Sequence, residues 1–318
     1  MRLLRGRLAV PAMVLALAGC GTAPAAAAPA LGGCQMFPDS TEPNRGTYAD
    51  FNRDVSGLPV HANSADYIGT IAGLSSNKFL HPDFGSNASY GIPFRVVPAS
   101  QAMTRIRFTA YGSQSDPGPY PIPGNTRVEA GSDRHVLVLR QGECKLYELF
   151  EARYSKQRRR WDAASGAVFD LGTGRRRPEG WTSADAAGLP ILPGLARLSE
   201  VRGGRIDHAL RFTVVRTQRA YVHPATHWAS SATDPDLPPM GLRLRLRASF
   251  DTSRYRGDAL VILTALKRYG MIVADNGGNW FISGENNTAW DDADLNQLKT
   301  VPGTAFEVVD TGEAVHTG

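Results

Sequence analysis

The chain has only three cysteines among its 318 residues, and none of them belongs to a C-x-x-C pair. Structural zinc sites need four clustered ligands, usually thiolates and histidines, so the sequence gives zinc little support. No known catalytic motif can be read along the chain. Beyond the first twenty residues, no apolar run approaches the roughly 20 residues that a membrane-spanning helix needs. Function therefore has to be inferred from the placement of individual residues.

The N-terminus has the pattern of an export signal. Three arginines among the first seven residues precede an apolar run over residues 8–18, and the tetrapeptide Leu-Ala-Gly-Cys ends at Cys20. This tetrapeptide resembles the bacterial lipobox, whose cysteine is lipidated and becomes the mature N-terminus. We therefore predict a lipoprotein signal peptide over residues 1–20, with lipidation of Cys20, and a flexible Ala- and Pro-rich tether over residues 21–33. The alternative is an ordinary secretory signal, cleaved within residues 25–30, which would discard Cys20.

Export decides how the remaining cysteines are interpreted. Cys34 and Cys144 are left as a pair in an oxidising compartment, so we predict a disulfide between them. The bond would close a loop of about 110 residues and constrain the unfolded chain by up to about 4.7 kcal/mol. Residues 34–310 are predicted to form one globular domain, followed by a loose tail over residues 311–318.

The net charge of +5 reflects a mild excess of lysine and arginine over aspartate and glutamate, and the densest basic runs, residues 158–160 and 175–177, lie in predicted loops. Solvated faces are the simplest interpretation, and an anionic glycan or envelope polymer is the alternative partner. Nucleic acid is not expected as a partner, because the chain is predicted to be exported and no basic stripe is interleaved with stacking aromatics.

Strand patterns dominate the middle of the chain. Residues 133–139 and 145–151 predict two paired strands joined at Gly142, and residues 167–171 predict a third. Residues 242–250 alternate leucine with arginine and predict a surface strand with an arginine face.

Helices are predicted near both ends of the domain. Residues 64–71 and 291–299 fit short helices, and residues 258–269, which stop before a glycine, form the clearest helix pattern. A β-hairpin is predicted from residues 271–274 and 279–283. These patterns together predict a mainly β fold, with a β-sandwich or jelly-roll-like body and a small C-terminal α/β addition.

Residues 181–217 combine turn residues, carboxylates and a histidine-led strand. In the strand pattern over residues 206–215, His208 begins the apolar face, whereas Arg211 lies on the other face. A histidine at the point where an inward face meets a loop suits a general acid or base. The alternative is a histidine at the edge of the core that bonds to a backbone carbonyl.

Carboxylates and a second histidine complete the candidate catalytic set. Asp133 and His135 share one strand face, and Glu148 projects from the next strand on the face opposite Tyr147. Asp185 and Glu200 are predicted in rim loops around the same concave sheet. Glu148 is the best-placed carboxylate for acid or base chemistry, and the alternative is a glutamate that faces solvent.

Aromatic residues are the candidate substrate contacts. Tyr120 lies in a segment with four prolines in seven residues, which we expect to present its ring to a sugar rather than bury it. A tyrosine packed beneath proline rings is the alternative. Trp181, Trp228 and Arg211 are further candidate binding residues.

Two histidine-containing loops have weaker functional interpretations. His223 and His227 have an H-x-x-x-H spacing that would place both imidazoles together only on a helix, so no metal or other cofactor is predicted, with a metal there as the alternative. In an earlier loop, His81 and Asp83 could touch a ligand, although a turn stabilised by Asp83 is the simpler interpretation.

A series of segments from residue 34 to about residue 310 resembles a family of bacterial secreted proteins and lipoproteins to which no activity is assigned. The segments are CQMFP, LHPDFGS, DPGPYPIP, DRHVLVL, CKLYELFEA, GWTSADAAGLPILPGL, DHALRFTV, HPATHWASS and ALKRYGMIVADNG. The resemblance implies export and carries over no catalytic residue. Members of the family have Asn-x-Trp-Asn near the N-terminus, where this chain has Asn-Arg-Gly-Thr at residues 44–47.

The predicted function is that of an extracytoplasmic, membrane-anchored enzyme that acts on a glycan. A glycoside hydrolase would use one carboxylic acid to protonate the glycosidic oxygen and a second carboxylate as nucleophile or base. A polysaccharide lyase would instead use His208 or Tyr147 to remove a proton beside a uronate. The alternative is a cell-envelope module that binds a glycan or a protein without catalysis, and membrane contact is expected only through the lipid anchor.

Overall fold

The computed structural model of the chain describes residues 30–37 and 48–317. The predicted signal peptide, the lipidation of Cys20 and most of the tether lie outside these residues, as do residues 44–47. Within the described part of the chain, no helix combines the length and the apolar character needed to cross a membrane.

Strands and helices follow one another with short connections. The strands are β1 (Ala30–Leu31), β2 (Cys34–Gln35), β3 (His81–Pro82), β4 (Phe94–Val97), β5 (Arg105–Phe108), β6 (Val136–Arg140), β7 (Lys145–Phe150), β8 (Arg153–Ser155), β9 (Arg160–Ala163), β10 (Ser165–Asp170), β11 (Leu210–Val214), β12 (Ala220–Tyr221), β13 (Arg243–Leu246), β14 (Met271–Asn276), β15 (Phe281–Ile282), β16 (Phe306–Val308) and β17 (Val315–His316). The α-helices are α1 (Ser64–Gly73), α2 (Leu198–Arg202), α3 (Gly257–Arg268) and α4 (Asp292–Asn296), and 3-10 turns occupy Tyr48–Asn52, Gly112–Gln114, Leu192–Gly194, Gln297–Thr300 and Gly303–Ala305. The prediction of a mainly β fold is confirmed.

A six-stranded mixed sheet with the order β16-β13-β14-β11-β15-β3 carries the C-terminal half. Strand β11 lies between β14, which is parallel to it, and β15, which is antiparallel. The predicted hairpin of residues 271–274 and 279–283 is therefore wrong, because β11 separates the two strands. Helix α3 confirms the helix predicted over residues 258–269. It buries one apolar stripe and ends before Gly270, whose φ of +67° favours glycine.

A four-stranded sheet with the order β10-β7-β6-β4 carries the central part of the chain, and a three-stranded sheet β5-β9-β8 lies beside it. The predicted pairing of β6 with β7 is confirmed. Alternate residues of β6 enter different cores, because successive side chains point to opposite faces. Leu137 and Leu139 join the larger core, whereas Val136 and Val138 join a smaller core that contains Tyr120. The sheet is thus buried on both faces.

The arginine-faced strand is not on the surface, which corrects the prediction for residues 242–250. Arg243 is 2% exposed, and it donates to the carbonyls of Tyr269 and Asp50 at 2.7 and 2.9 Å. Arg245 donates to the carbonyl of Val55 at 2.6 Å. Both guanidinium groups thus satisfy backbone carbonyls of the N-terminal segment that covers the strand, so this face is not a surface for a partner.

Both predicted flexible ends are partly ordered. Residues 30–33, assigned to the tether, belong to a small hairpin in which β1 pairs with β2. In the predicted tail, β17 pairs with β12. The predicted disulfide between Cys34 and Cys144 is confirmed, with the two Cα atoms 5.4 Å apart. It joins the N-terminal hairpin to the turn between β6 and β7.

Candidate functional site

A β-bulge at the ends of β11 and β14 organises the site. In this parallel pair Phe212 registers with Val273, but Thr213 registers with Asp275, so Ala274 is an extra residue. Registered residues share a sheet face, and the bulge therefore places Asp275 beside Thr213 on the face that also carries Arg211. Two polar side chains and a cation are thus directed to one side of the sheet at its carboxyl edge.

These side chains open into a cavity of about 410 Å³ with a mainly acidic wall. Its charged lining consists of Asp83, Glu129, Asp133 and Asp275 with the cations Arg211 and His135. Tyr90, which is 56% exposed, lies at the same cavity and offers an aromatic face to solvent. We call this space the large cavity.

Arg211 and Asp185 form a buried ion pair behind the large cavity. The Nε atom of Arg211 donates to Oδ2 of Asp185 at 3.1 Å, and its Nη1 donates to the hydroxyl of Ser283 at 2.7 Å. Asp185 is 1% exposed. Burial raises the pKa of the Asp185 carboxyl, and the charge of Arg211 opposes this shift.

Asp275 combines burial with a neighbouring negative charge. Burial raises the pKa of Asp275 to about 7, the charge of Asp185 acts in the same direction, and Arg211 opposes both. Two carboxyl groups that interact in this way do not ionise together readily. At neutral pH Asp275 therefore keeps a substantial protonated fraction and can donate a proton.

His135 keeps Glu129 ionised, in contrast to the partly protonated Asp275. The imidazole Nδ1 lies 2.5 Å from Oε2 of Glu129, and the other ring nitrogen lies 3.0 Å from the carbonyl of Ala184. Since both partners are acceptors, the ring donates from both nitrogens and is an imidazolium. Burial alone would raise the pKa of Glu129, but the hydrogen bond and charge of His135 outweigh burial and lower it. Glu129 is therefore ionised at neutral pH.

A second cavity of about 230 Å³, which we call the small cavity, shares one wall with the first. Asp275 lines both cavities, whereas Asp185 lines the small one. Aromatic side chains form much of its remaining wall, including Tyr111 and Trp228. The two cavities thus approach each other at Asp275.

Five of the predicted site residues come together here. Asp133, His135 and Arg211 line the large cavity, and Asp185 and Trp228 line the small one. The prediction that Asp133 and His135 share a face agrees with this arrangement, although both residues precede β6 rather than lie in it. Asp185 is buried and not in an exposed rim loop, which corrects that prediction.

Glu148 is neither a solvent-facing residue nor a wall of either cavity. It is fully buried, and its Oε1 accepts the backbone N–H groups of Ile191 and Leu192, both at 3.0 Å. Burial raises the pKa of Glu148 to about 7, although these two hydrogen bonds oppose the shift. Glu148 therefore fixes the loop that reaches the 3-10 turn Leu192–Gly194, and neither cavity supports its predicted role as a catalytic acid or base.

His208 and Glu200 form a separate buried pair. The imidazole Nδ1 lies 2.8 Å from the carbonyl of Ala209, and Nε2 lies 3.2 Å from Oε2 of Glu200, which also pairs with Arg197. The strand begins only at Leu210, so His208 lies at the edge of the core, as its alternative interpretation predicts. Neither residue lines the two cavities, which therefore give no support to their predicted catalytic roles.

Tyr120 and Trp181, two of the predicted substrate contacts, line neither cavity. Tyr120 is completely buried, and its hydroxyl donates to the carbonyl of Asp116 at 2.6 Å, so the prediction of an exposed ring is wrong. Trp181 is half-buried and lies outside both cavities, with the guanidinium carbon of Arg177 5.6 Å from its ring centre. Arg177 is itself buried, unlike the solvated arginine run predicted there.

His223 and His227 do not share a helix face. The peptide bond between His223 and Pro224 is cis, and no helix forms around it. His223 bonds to Glu179 at 3.0 Å, whereas His227 bonds to the carbonyl of Ala186 at 2.9 Å. Within residues 30–37 and 48–317, no group of three or more His, Cys, Asp or Glu side chains could hold a metal ion.

Two residues of the large cavity, Glu129 and Asp275, are not among the residues predicted from the sequence. The predicted hairpin places Asp275 in its turn, although an aspartate at the end of an apolar strand that follows a helix is a typical position for a functional residue in a parallel pair. Asp83, for which a ligand contact and a turn are the two interpretations, lines the large cavity.

Comparison with models of protein families, with curated proteins and with solved structures finds no match to this chain. Its function is therefore inferred from the site alone.

Proposed function

We propose that this protein is an extracytoplasmic, lipid-anchored glycoside hydrolase whose reaction takes place in the large cavity. The observation that carries the proposal is the pair of carboxyl groups in opposite protonation states. Burial raises the pKa of Asp275 to about 7, while His135 lowers that of Glu129, and both line one cavity. Glycoside hydrolysis needs one protonated and one ionised carboxyl group, set apart by their surroundings.

In this mechanism Asp275 is the general acid. Its proton moves to the glycosidic oxygen as the bond from that oxygen to the anomeric carbon breaks, and the leaving sugar departs as an alcohol. Glu129 is the ionised partner, which stabilises the positive charge that develops on the sugar ring and serves as nucleophile or as the base that activates water. Arg211 and His135 act by holding Asp185 and Glu129 in place.

The charge of the cavity supports a neutral or amine-bearing glycan over a polyuronate. Besides the partly protonated Asp275, three carboxyl groups line the wall against two cations, so a uronate would meet a net negative charge. This charge argues against a polysaccharide lyase, and so does the position of the two residues predicted as its base. Tyr147 is buried in the smaller core and His208 lies outside both cavities. The exposed ring of Tyr90 offers a stacking face for a sugar.

The proposal is tested with the purified full chain in detergent on neutral, amine-bearing and acidic polysaccharides and on peptidoglycan, with reducing ends and unsaturated products both measured. Asp275→Asn is expected to lower kcat by about 100-fold or more, because it removes the proton donor. Asp66→Asn, at an exposed aspartate in the first turn of α1, is the matched control and is expected to keep full activity.

The pH profile gives an independent check. Activity is expected to fall as the pH rises through about 7, where Asp275 loses its proton. Activity that survives in Asp275→Asn with an unchanged profile would overturn the assignment. Retention of a glycan without any turnover would instead favour the non-catalytic binding module.

A further inference from the structure

The small cavity contains a buried carboxylate oxygen without a partner. Oδ2 of Asp185 accepts from Arg211, but Oδ1 has no hydrogen-bond partner among the described residues. The backbone N–H of Ala187 lies close by, yet it donates to the carbonyl of Ala274 at 3.0 Å. An unsatisfied buried acceptor destabilises the folded protein, so an oxygen of this kind calls for an explanation.

Aromatic rings form another part of the wall. Trp228 is half-buried and stacks on His227 and Tyr221, with ring centres 4.9 and 6.4 Å apart, and Tyr111 is 44% exposed. An aromatic face and a hydrogen-bond acceptor in one cavity suit a sugar ring, because the ring has apolar C–H faces and hydroxyl donors at its edge. The exposure of Tyr111 indicates that the cavity opens to solvent.

We propose that the small cavity is a second sugar subsite, in which Trp228 stacks against the ring and Oδ1 of Asp185 accepts a hydroxyl or N–H donor from it. This inference rests on the proposed function and deepens it. Asp275 lines both cavities. A glycan that occupies both therefore places the bond between its two sugars at Asp275, where the proton donor is needed.

The subsite is tested by binding alone, so that the result does not depend on turnover. The full chain is labelled with 5-fluorotryptophan and titrated with glucose, galactose, mannose, N-acetylglucosamine and glucosamine while its ¹⁹F spectrum is recorded. The Trp228 signal is expected to move saturably with at least one sugar. The signal of Trp181, which lies outside both cavities, is expected to stay in place.

Two variants locate the contacts. Asp185→Asn is expected to raise the Kd about tenfold or more through loss of a charge-assisted hydrogen bond. Because Asp185 also pairs with Arg211, folding is checked by unchanged signals from the buried Trp161 and Trp280. Trp228→Ala, read from the remaining tryptophan signals and by calorimetry, is expected to abolish binding in the small cavity, and Trp181→Ala is the matched control.

Each outcome decides the proposal. Saturable movement of the Trp228 signal that weakens in Asp185→Asn supports the subsite, whether or not the chain hydrolyses glycans. No movement with any of the five sugars, in a protein whose hydrolysis depends on Asp275, overturns the subsite and leaves the proposed function standing. No movement together with no turnover overturns both.

Discussion

Replacement of Glu148 by glutamine is expected to change how the stability of the protein depends on pH. Its carboxyl group is fully buried and faces two backbone N–H groups, from Ile191 and Leu192. Burial raises its pKa from 4.5 to about 7, so the folded protein holds this proton more tightly than the unfolded chain does. A glutamine has nearly the same shape, and its amide oxygen can accept both N–H groups, but it does not titrate.

The direction and size of the effect follow from the pKa values. A group whose pKa is raised on folding makes its full contribution to the free energy of unfolding below its unfolded pKa. That contribution is lost as the pH rises through the folded pKa. For Glu148 this window runs from about pH 4.5 to about pH 7. One pKa unit corresponds to about 1.4 kcal/mol, so the wild-type protein loses about 3 kcal/mol across the window from this group. The glutamine variant lacks that loss.

The measurement is urea unfolding at several pH values between 4.5 and 8, with the disulfide intact and constant ionic strength. Fluorescence of the buried Trp161 and Trp280 reports the transition. The unfolding free energy of Glu148→Gln relative to wild type should increase by about 3 kcal/mol from the acidic to the alkaline end. Glu313→Gln, at an exposed glutamate, is the control and should run parallel to wild type. Parallel curves for Glu148→Gln would refute the reasoning, and so would a variant that loses relative stability at high pH.

Two further substitutions test the packing of the fold. Replacement of both Cys34 and Cys144 by serine should lower the free energy of unfolding by roughly 2–5 kcal/mol, because the unfolded chain is no longer constrained by a long loop. An unchanged urea midpoint would contradict this. Tyr120→Phe should cost about 1 kcal/mol through loss of the hydrogen bond to the carbonyl of Asp116, with glycan binding unaffected. A loss of binding at unchanged stability would restore the exposed role first predicted for Tyr120.

Features that depend on neighbouring residues in sequence could be predicted. Helix α3 has an apolar stripe at helical spacing and a glycine stop, and the β6–β7 hairpin has strand patterns on either side of Gly142. The disulfide between Cys34 and Cys144 follows from counting cysteines in an exported chain. In each case the local pattern and the global fold agree.

Features that depend on distant parts of the chain could not be predicted. The alternation of leucine and arginine in β13 correctly predicts a strand, but only the fold reveals that Arg243 meets carbonyls of Asp50 and Arg53. Likewise, the partner of β14 is β11, some sixty residues away, and the bulge between them decides that Asp275 rather than Ala274 faces the cavity. A one-residue change of register reverses every side chain beyond it, and no local pattern specifies it.

The loop over residues 182–194 gives Glu148 a structural role. Glu148, in the four-stranded sheet, accepts the N–H of Ile191 near the end of the loop. The carbonyl of Ala274, the extra bulge residue in the six-stranded sheet, accepts the N–H of Ala187 in the middle of the loop. Between these two anchors Gly188 has a φ of +73°, and a Cβ there would lie 2.2 Å from Oγ1 of Thr226. The loop is thus fixed from both sheets, and it carries Asp185 to the wall of the small cavity.

A fall in activity on changing Glu148 would therefore arise through the loop and Asp185, not through a proton transfer. A structural role and a catalytic role can be distinguished, because the first affects the pH dependence of stability and the second that of activity. Burial raises the pKa of both Glu148 and Asp275 to about 7. Removal of the Glu148 carboxyl changes the pH dependence of stability and leaves the alkaline fall in activity in place. Removal of the Asp275 carboxyl eliminates that fall along with the activity, because Asp275, unlike Glu148, lines a cavity that a substrate can enter.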